Sequence, residues 1–486
     1  MIMSLLQSPH VLIFPFPVQG HINSMLKLAE LLIHAGLQVT FLNSDQIHKR
    51  LLFCTNILTY FSQYPGFYFD TIPDGLPPDH PRTGDRVSEL FNAINAVIKP
   101  RFREKLLTST CQFHHGKPPI TCIIADGIMS FTVDVAKEFR IPTILFRTIS
   151  ASCFWAFFCV PKLIEDGKLP LNGASEMDGY LSNVPGLESF RIRDLPSFCR
   201  TKNLSDPSLQ VVVYETQRTL GAYGLLLNTF EDLEEPALIN IRTHIPNLYT
   251  VGPLHAHLKS RLSSSSQQQP SSSSSLWEED RSCITWLDSQ PLRSVVYVSF
   301  GSMTVLTKDQ LIEFWFGLVN SQRPFLWVIR PNSVNTESDI PVELLEATKK
   351  RGYMVGWAPQ EEVLSHPAIG GFLTHSGWNS TLECLYEGVP MICWPFYADQ
   401  QVNSRLVGEI WKVGLDMKDT CDRVIVEKRI KEVMEVRKGE FLKSAQRMAK
   451  LATRSVETAG SSYGNLDRLI KDIKLMSLGN NNLVQW

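Results

Sequence analysis

HVLIFPFPVQGHINSMLKLAELLIHAGLQVTFL, residues 10–42, decides the fold. Residues 10–16 are a short apolar run, Pro17-Val18-Gln19-Gly20 follow as a turn, and Ile22, Met25, Leu26, Leu28, Ala29, Leu31 and Leu32 then recur at helical period. The helix stops at Gly36, and residues 38–42 read as a second strand. Strand, tight turn, helix and strand make one β-α-β unit of a parallel sheet. Outward from it, residues 120–125 and 143–146 have the continuous apolar character of buried strands, with an amphipathic stretch over 132–139 between them. A second series of the same kind places strands over 294–300, 325–329, 370–374 and 391–394 and a helix over 308–320.

The 486 residues exceed what one hydrophobic core serves. The expected fold class is α/β: two facing Rossmann-like domains with a cleft between them, where ligands meet the carboxyl ends of the strands. Expected boundaries are an N-terminal domain over 1–255, a Ser/Gln-rich mobile linker over 256–280, a C-terminal domain over 281–460, and a final helix over 461–486 packing back on the N-terminal domain. The hydrophobic fraction of 44% and net charge of -2 describe a globular protein with no electrostatic basis for a nucleic-acid partner. The ten cysteines form no C-x-x-C pair and no zinc-spaced cluster, so they read as reduced thiols of a cytoplasmic protein. The apolar start over 1–18 lacks a basic leader and is broken by Gln7, Pro9, His10, Pro15 and Pro17, so it reads as a first strand rather than a signal peptide. No window reaches about 18 uninterrupted apolar residues, and no transmembrane segment is expected.

Residues 357–400 carry the most chemistry: WAPQEEVLSHPAIGGFLTHSGWNSTLECLYEGVPMICWPFYADQ. The strand over 370–374 runs into His375-Ser376-Gly377-Trp378-Asn379-Ser380 and then into a helix, whose free amides and positive dipole end suit a diphosphate. Alone, Gly377 and Asn379 could merely shape a strand-to-helix turn. The whole stretch, however, resembles the signature box of plant family-one UDP-glycosyltransferases in type and spacing. The resemblance implies a GT-B fold and a donor site. In it Trp357, beside Ala358, stacks on uracil, Gln360 and Glu383 hold the ribose, and His375, Ser380 and Ser302 meet the phosphates. Tyr397, Asp399 and Gln400 close the box, the last two gripping sugar hydroxyls, with the glutamine pointing to glucose. Ser376 stands where many relatives have cysteine, and Tyr397 where phenylalanine is common.

A transferase attacking the anomeric carbon needs a general base, because a hydroxyl is a poor nucleophile at neutral pH. His21, at the strand-to-helix turn, matches the family's catalytic histidine, and Asp126, at the end of an apolar strand, matches its partner aspartate. Read without the family, His21 decorates a helix turn and Asp126 caps the following segment. Direct displacement inverts the anomeric carbon. No Asp-x-Asp motif is present, so no metal and no permanently bound cofactor is expected, only UDP-glucose as donor co-substrate. The aromatic-rich segments 74–81, 91–98, 148–158 and 190–198 are the expected acceptor region, with Arg147 and Thr148 in the pocket and Arg147 or a neighbour receiving an acidic group of a small lipophilic acceptor, a terpenoid or iridoid by resemblance. Another UDP-sugar, a phenolic acceptor, or a non-catalytic UDP-sugar-binding protein are the competing expectations. A monomer is expected.

Overall fold

The computed structural model describes residues 8–80, 82, 86–111, 117–171, 173, 176–263, 275–330 and 342–479. The described residues of Met1–Leu163, Asn203–Leu276 and Arg454–Trp486 form one compact unit, and those of Ile164–Lys202 and Trp277–Thr453 form the other.

The first unit is built on seven parallel strands: β1 (His10–Phe14), β2 (Gln38–Ser44), β3 (Phe67–Ile72), β4 (Ile120–Asp126), β5 (Thr143–Arg147), β6 (Gly224–Leu227) and β7 (Leu248–Thr250). Their order across the sheet is β3-β2-β1-β4-β5-β6-β7. Strand order therefore reverses direction between β1 and β4, which makes the carboxyl ends of those two strands the natural binding position of the sheet. After β1 the helix Gln19–His34 buries Ile22, Met25, Leu26, Leu28, Ala29 and Leu32. Each buried Leu or Ile stabilises by about 1.5–3 kcal/mol, which fixes the helix and hence its first turn. Gly36 ends it with φ +82, a left-handed conformation that glycine adopts without strain.

The second unit repeats the plan with β8 (Val295–Ser299), β9 (Phe325–Val328), β10 (Gly352–Val355), β11 (Ile369–Thr374), β12 (Met391–Cys393) and β13 (Gly414–Asp416), all parallel. The order β10-β9-β8-β11-β12-β13 puts its switch point between β8 and β11. The helix Lys308–Asn320 begins at a capping box, with Thr307 Oγ1 accepting from the Gln310 amide (3.2 Å) and Gln310 Oε1 accepting from the Thr307 amide (3.0 Å). Its Leu311, Phe314 and Trp315 join Val296, Val298, Trp327, Leu373 and Trp394 in one core.

Expected boundaries differ from the observed units, residues 454–460 falling in the first unit rather than with 281–453. Residues 164–202 belong with the second unit rather than with 1–255, because buried Asp194 pairs with Lys418 Nζ at 2.9 Å and with Arg405 Nε at 3.4 Å. The expected linker over 256–280 begins as helix, Leu254–Ser263, and its stretch 264–274 lies outside the described residues, as do 1–7 of the apolar start, Pro81 and the Asn480–Asn482 run. The helix Ser461–Gly479 lies on β7 of the first unit, where Tyr249 donates to Asp472 Oδ2 (2.6 Å) and Asn465 Nδ2 donates to Thr250 Oγ1 (2.8 Å). No helix among the described residues is long and apolar enough to cross a membrane.

Candidate active site

In the first unit, three strand ends deliver three side chains to one place. Register pairs Phe14 of β1 with Ala125 of β4, and Asp126 with Phe146 of β5. His21 in the helix turn after β1, Asp126 at the end of β4 and Thr148 just past β5 thus converge. His21 Nδ1 lies 2.6 Å from Asp126 Oδ2 and 3.0 Å from Thr148 Oγ1. The carboxylate is 1% exposed while the imidazole keeps 22%. Asp126 is further held by the Phe16 amide on Oδ2 (3.4 Å) and the Ile128 amide on Oδ1 (3.2 Å), and the Phe16 ring packs on the imidazole at 5.3 Å between centroids. A buried carboxylate accepts from the proton on Nδ1 and leaves the basic lone pair on Nε2. This is the arrangement that orients a general base and stabilises the imidazolium it becomes.

In the second unit, His375 follows β11 and lies against the turn after β8. A Cβ on Gly301 would stand 2.3 Å from its Nε2, and one on Gly377 2.5 Å, so both glycines are required for the ring to lie where it does. Burial pushes the His375 imidazole down to about 4, so it stays neutral at physiological pH. Gly377 then opens the helix Trp378–Glu387 with no side-chain cap, leaving its first amides unsatisfied by the helix itself. Gln360 Nε2 donates to Ser380 Oγ (2.8 Å) and to Glu383 Oε2 (2.7 Å). Trp357, beside buried Ala358, stacks on Trp277 at 4.6 Å and 22°. Beyond β12, Gln400 Oε1 accepts from the Phe396 and Tyr397 amides at 2.7 and 2.8 Å, and Asp399 Oδ2 accepts from Asn403 Nδ2 at 2.7 Å. Asn403 Nδ2 also donates to the Ser376 carbonyl (2.9 Å), tying the 375–377 turn to Asp399. Among the described residues, no group of three or more His, Cys, Asp or Glu side chains is placed to hold a metal ion.

A family profile described as UDP-glucoronosyl and UDP-glucosyl transferase matches residues 276–445. A 7-deoxyloganetic acid glucosyltransferase of Catharanthus roseus is 58% identical over 471 residues, covering 96% of this chain and 98% of that protein. The chain belongs to this transferase family. A 7-deoxyloganetin glucosyltransferase of Gardenia jasminoides is 43% identical over 480 residues, covering 96% and 98%. The crystal structure of Medicago truncatula UGT71G1 with UDP-glucose superposes with a TM-score of 0.79 at 27% identity, covering 97% of this chain and 100% of that one. The protein is thus a UDP-glycosyltransferase with two Rossmann-like units, and the solved relative carries a UDP-sugar as its donor.

Most of the residues singled out in the sequence fall into the two clusters of the transferase. His21, Asp126 and Thr148 form the first. Ser302, Trp357, Gln360, His375, Gly377, Asn379, Ser380, Glu383, Tyr397, Asp399 and Gln400 lie at or just beyond the carboxyl ends of β8, β10, β11 and β12, or on the short helices that follow. One reading is corrected. Arg147 is 3% exposed, donates from Nη1 to the Gly127 carbonyl (3.0 Å) and from Nη2 to Thr216 Oγ1 (3.4 Å), and is backed by the negative charge of Glu215 and Asp126. It props the turn after Asp126 and has no surface for an acceptor's acidic group. Thr148 bonds to His21 instead. The Trp378 side chain is 3% exposed and packs toward Trp411. In the expected acceptor segments, Phe154, Trp155 and Phe157 are core. Trp277, Asn403 and Ser197 were not singled out. Asn403 was findable, since it lies one helical turn after Asp399; nothing in the spacing marks the other two.

Proposed function

We propose that this transferase inverts the anomeric carbon of UDP-glucose and delivers glucose to a hydroxyl or carboxyl group of a small lipophilic terpenoid, with iridoids as the first acceptors to try. The carrying observation is the His21 Nδ1 to Asp126 Oδ2 contact of 2.6 Å, which orients Nε2 as a base. His21 Nε2 takes the proton of an acceptor hydroxyl, the oxygen forms a bond to the anomeric carbon, and the bond from that carbon to the β-phosphate oxygen breaks, releasing UDP. An α-linked donor then gives a β-glucoside. On the donor side, the Trp357 indole stacks on uracil, and Gln360 and Glu383 exchange part of their mutual bonding for the ribose hydroxyls. The first amides of the helix Trp378–Glu387, with His375, Asn379, Ser380 and Ser302, stabilise the charge that develops on the leaving diphosphate. Asp399 and Gln400 contact the sugar hydroxyls. The names of the Catharanthus and Gardenia relatives support glucose as the donor sugar and an iridoid as the acceptor. We place the enzyme in the cytoplasm as a monomer.

The test is incubation with UDP-glucose, UDP-galactose, UDP-xylose or UDP-rhamnose and a panel holding 7-deoxyloganetic acid, 7-deoxyloganetin, flavonoids and simple phenols, read by mass spectrometry. A hexose adduct of an iridoid, formed fastest with UDP-glucose, is expected; transfer to phenols alone, or UDP binding with no transfer, overturns the reading. His21 also reports which group is attacked. A carboxylic acid is already ionised at pH 7, so its oxygen has no proton for His21 to take. His21→Ala therefore leaves ester formation far less impaired than glycoside formation.

A further inference from the structure

Residues 189–200 lie before the Ser/Gln tract in sequence but belong to the second unit, where they brace the loop that follows β12. The Ser197 amide donates to the Ala398 carbonyl (2.9 Å), and the Ala398 amide donates back to Ser197 Oγ (2.8 Å). One serine therefore closes a two-bond ring around a single residue, and that residue is strained: Ala398 has φ +55, in the left-handed region that alanine disfavours. Phe198 meets the Tyr397 ring edge-on at 5.1 Å. The brace is itself anchored. Asp194, fully buried, accepts from Arg191 Nε (3.0 Å), pairs with Lys418 Nζ (2.9 Å) and lies 3.4 Å from Arg405 Nε. Arg405 closes the helix Gln400–Arg405 and reaches back to the Ser189 carbonyl (2.7 Å). Both ends of the 396–405 stretch are thus tied to the same segment.

We propose that Ser197 is a positioning residue for donor-sugar selection: by clamping Ala398 in its left-handed conformation it sets where Asp399 and Gln400 present their polar atoms. The proposal rests on the reading of Asp399 and Gln400 as sugar contacts given above. The other bonds in the loop explain why a single clamp matters. Gln400 Oε1 accepts from the Phe396 and Tyr397 amides and Asp399 from Asn403, bonds made within the stretch, whereas the Ala398 amide, next to Asp399, is anchored by Ser197 outside it. Removing the Ser197 hydroxyl frees Ala398 to relax out of the left-handed region, which rotates the peptide leading into Asp399. Displacements of this kind act on geometry that must hold to a fraction of an ångström, while leaving the base and diphosphate contacts untouched.

The experiment compares wild type, Ser197→Ala and Ser197→Thr in kcat/KM for UDP-glucose, UDP-galactose and UDP-xylose, and in the inhibition constant of UDP, which has no sugar. For Ser197→Ala we expect about a tenfold loss with the preferred donor, a glucose-to-galactose preference narrowed about fivefold, and UDP inhibition within about twofold of wild type. Ser197→Thr keeps the hydroxyl and restores most of the preference. Equal losses with all three donors accompanied by weaker UDP inhibition reveal a brace for the fold only, and overturn the proposal; so does an unchanged preference. Wild-type enzyme that turns over none of the UDP-sugars sinks the functional reading itself, an outcome distinct from normal turnover with unaltered selectivity in the variant.

Discussion

His21 and His375 each follow a strand that flanks the switch point of its sheet, β1 for the first and β11 for the second, yet their surroundings are opposite. His21 keeps 22% of its side chain exposed and leans on a carboxylate that is 1% exposed. His375 is enclosed between Gly301 and Gly377, and burial lowers its pKa to about 4. The first environment sets the ring against a carboxylate; the second buries it and disfavours its charged form. The proposed base and the proposed diphosphate contact are the same side chain, and what separates them is the charge and space supplied by neighbouring residues.

The contrast can be broken most sharply at the base. His21→Ala is expected to lower kcat about 10³-fold for a hydroxyl acceptor while the KM for UDP-glucose moves less than about threefold. Asp126→Asn keeps the shape and removes the charge; a kcat loss of about 10²-fold is expected, and full activity would falsify the pairing as an orienting device. At His375 the expected effect is on stability. Its folded pKa of about 4 lies below the ordinary 6.5, so the unfolded chain takes up the proton first as pH falls. Stability is intact above 6.5 and lost progressively towards 4, by about 2 kcal/mol at pH 5. Buried His10 and His257, also near 4, add to the same acid loss. Urea unfolding at pH 7 and pH 5 should show a smaller deficit in His375→Gln, and an equal one removes the assignment. Gly377→Ala forces a Cβ onto the imidazole; a rise of about tenfold in the KM for UDP-glucose with the pH dependence of kcat preserved is expected from steady-state kinetics. The smallest effect belongs to Thr148→Val, which removes one hydroxyl from Nδ1 while Asp126 remains: a kcat loss of about threefold to fivefold, with folding unchanged by circular dichroism.

Long, strongly patterned elements were legible in the sequence. Residues 10–42 announced a β-α-β unit, and the helix over 308–320 coincides with Lys308–Asn320 because Thr307 and Gln310 carry its start signal. The strands that escaped were of two kinds. β6, β7, β10 and β13 have three or four residues, no fewer than β9 and β12, which were read, and their pairing comes from neighbours in the sheet. β3 is half-buried, with Asp70 and Thr71 among its aromatics, so it shows no continuous apolar run. At the site, residues clustered by the 357–400 stretch were readable because adjacent strand ends bring them together. Arg147 misled because a charged residue at a strand end invites a ligand, whereas Gly127 leaves the room for it to turn inward. Ser197 lies 201 residues from its partner Ala398, a separation at which single-sequence patterns carry no information.

The chain does not complete one unit before starting the other. The first is assembled from three stretches and the second from two, with the helix Ser461–Gly479 returning to β7. During synthesis the opening sheet must wait for residues 465–472 to leave the ribosome before Tyr249 and Thr250 gain their partners. Cutting the gene at any single point between residues 164 and 453 severs both units, so an excised second unit has to be stitched from two separate coding segments.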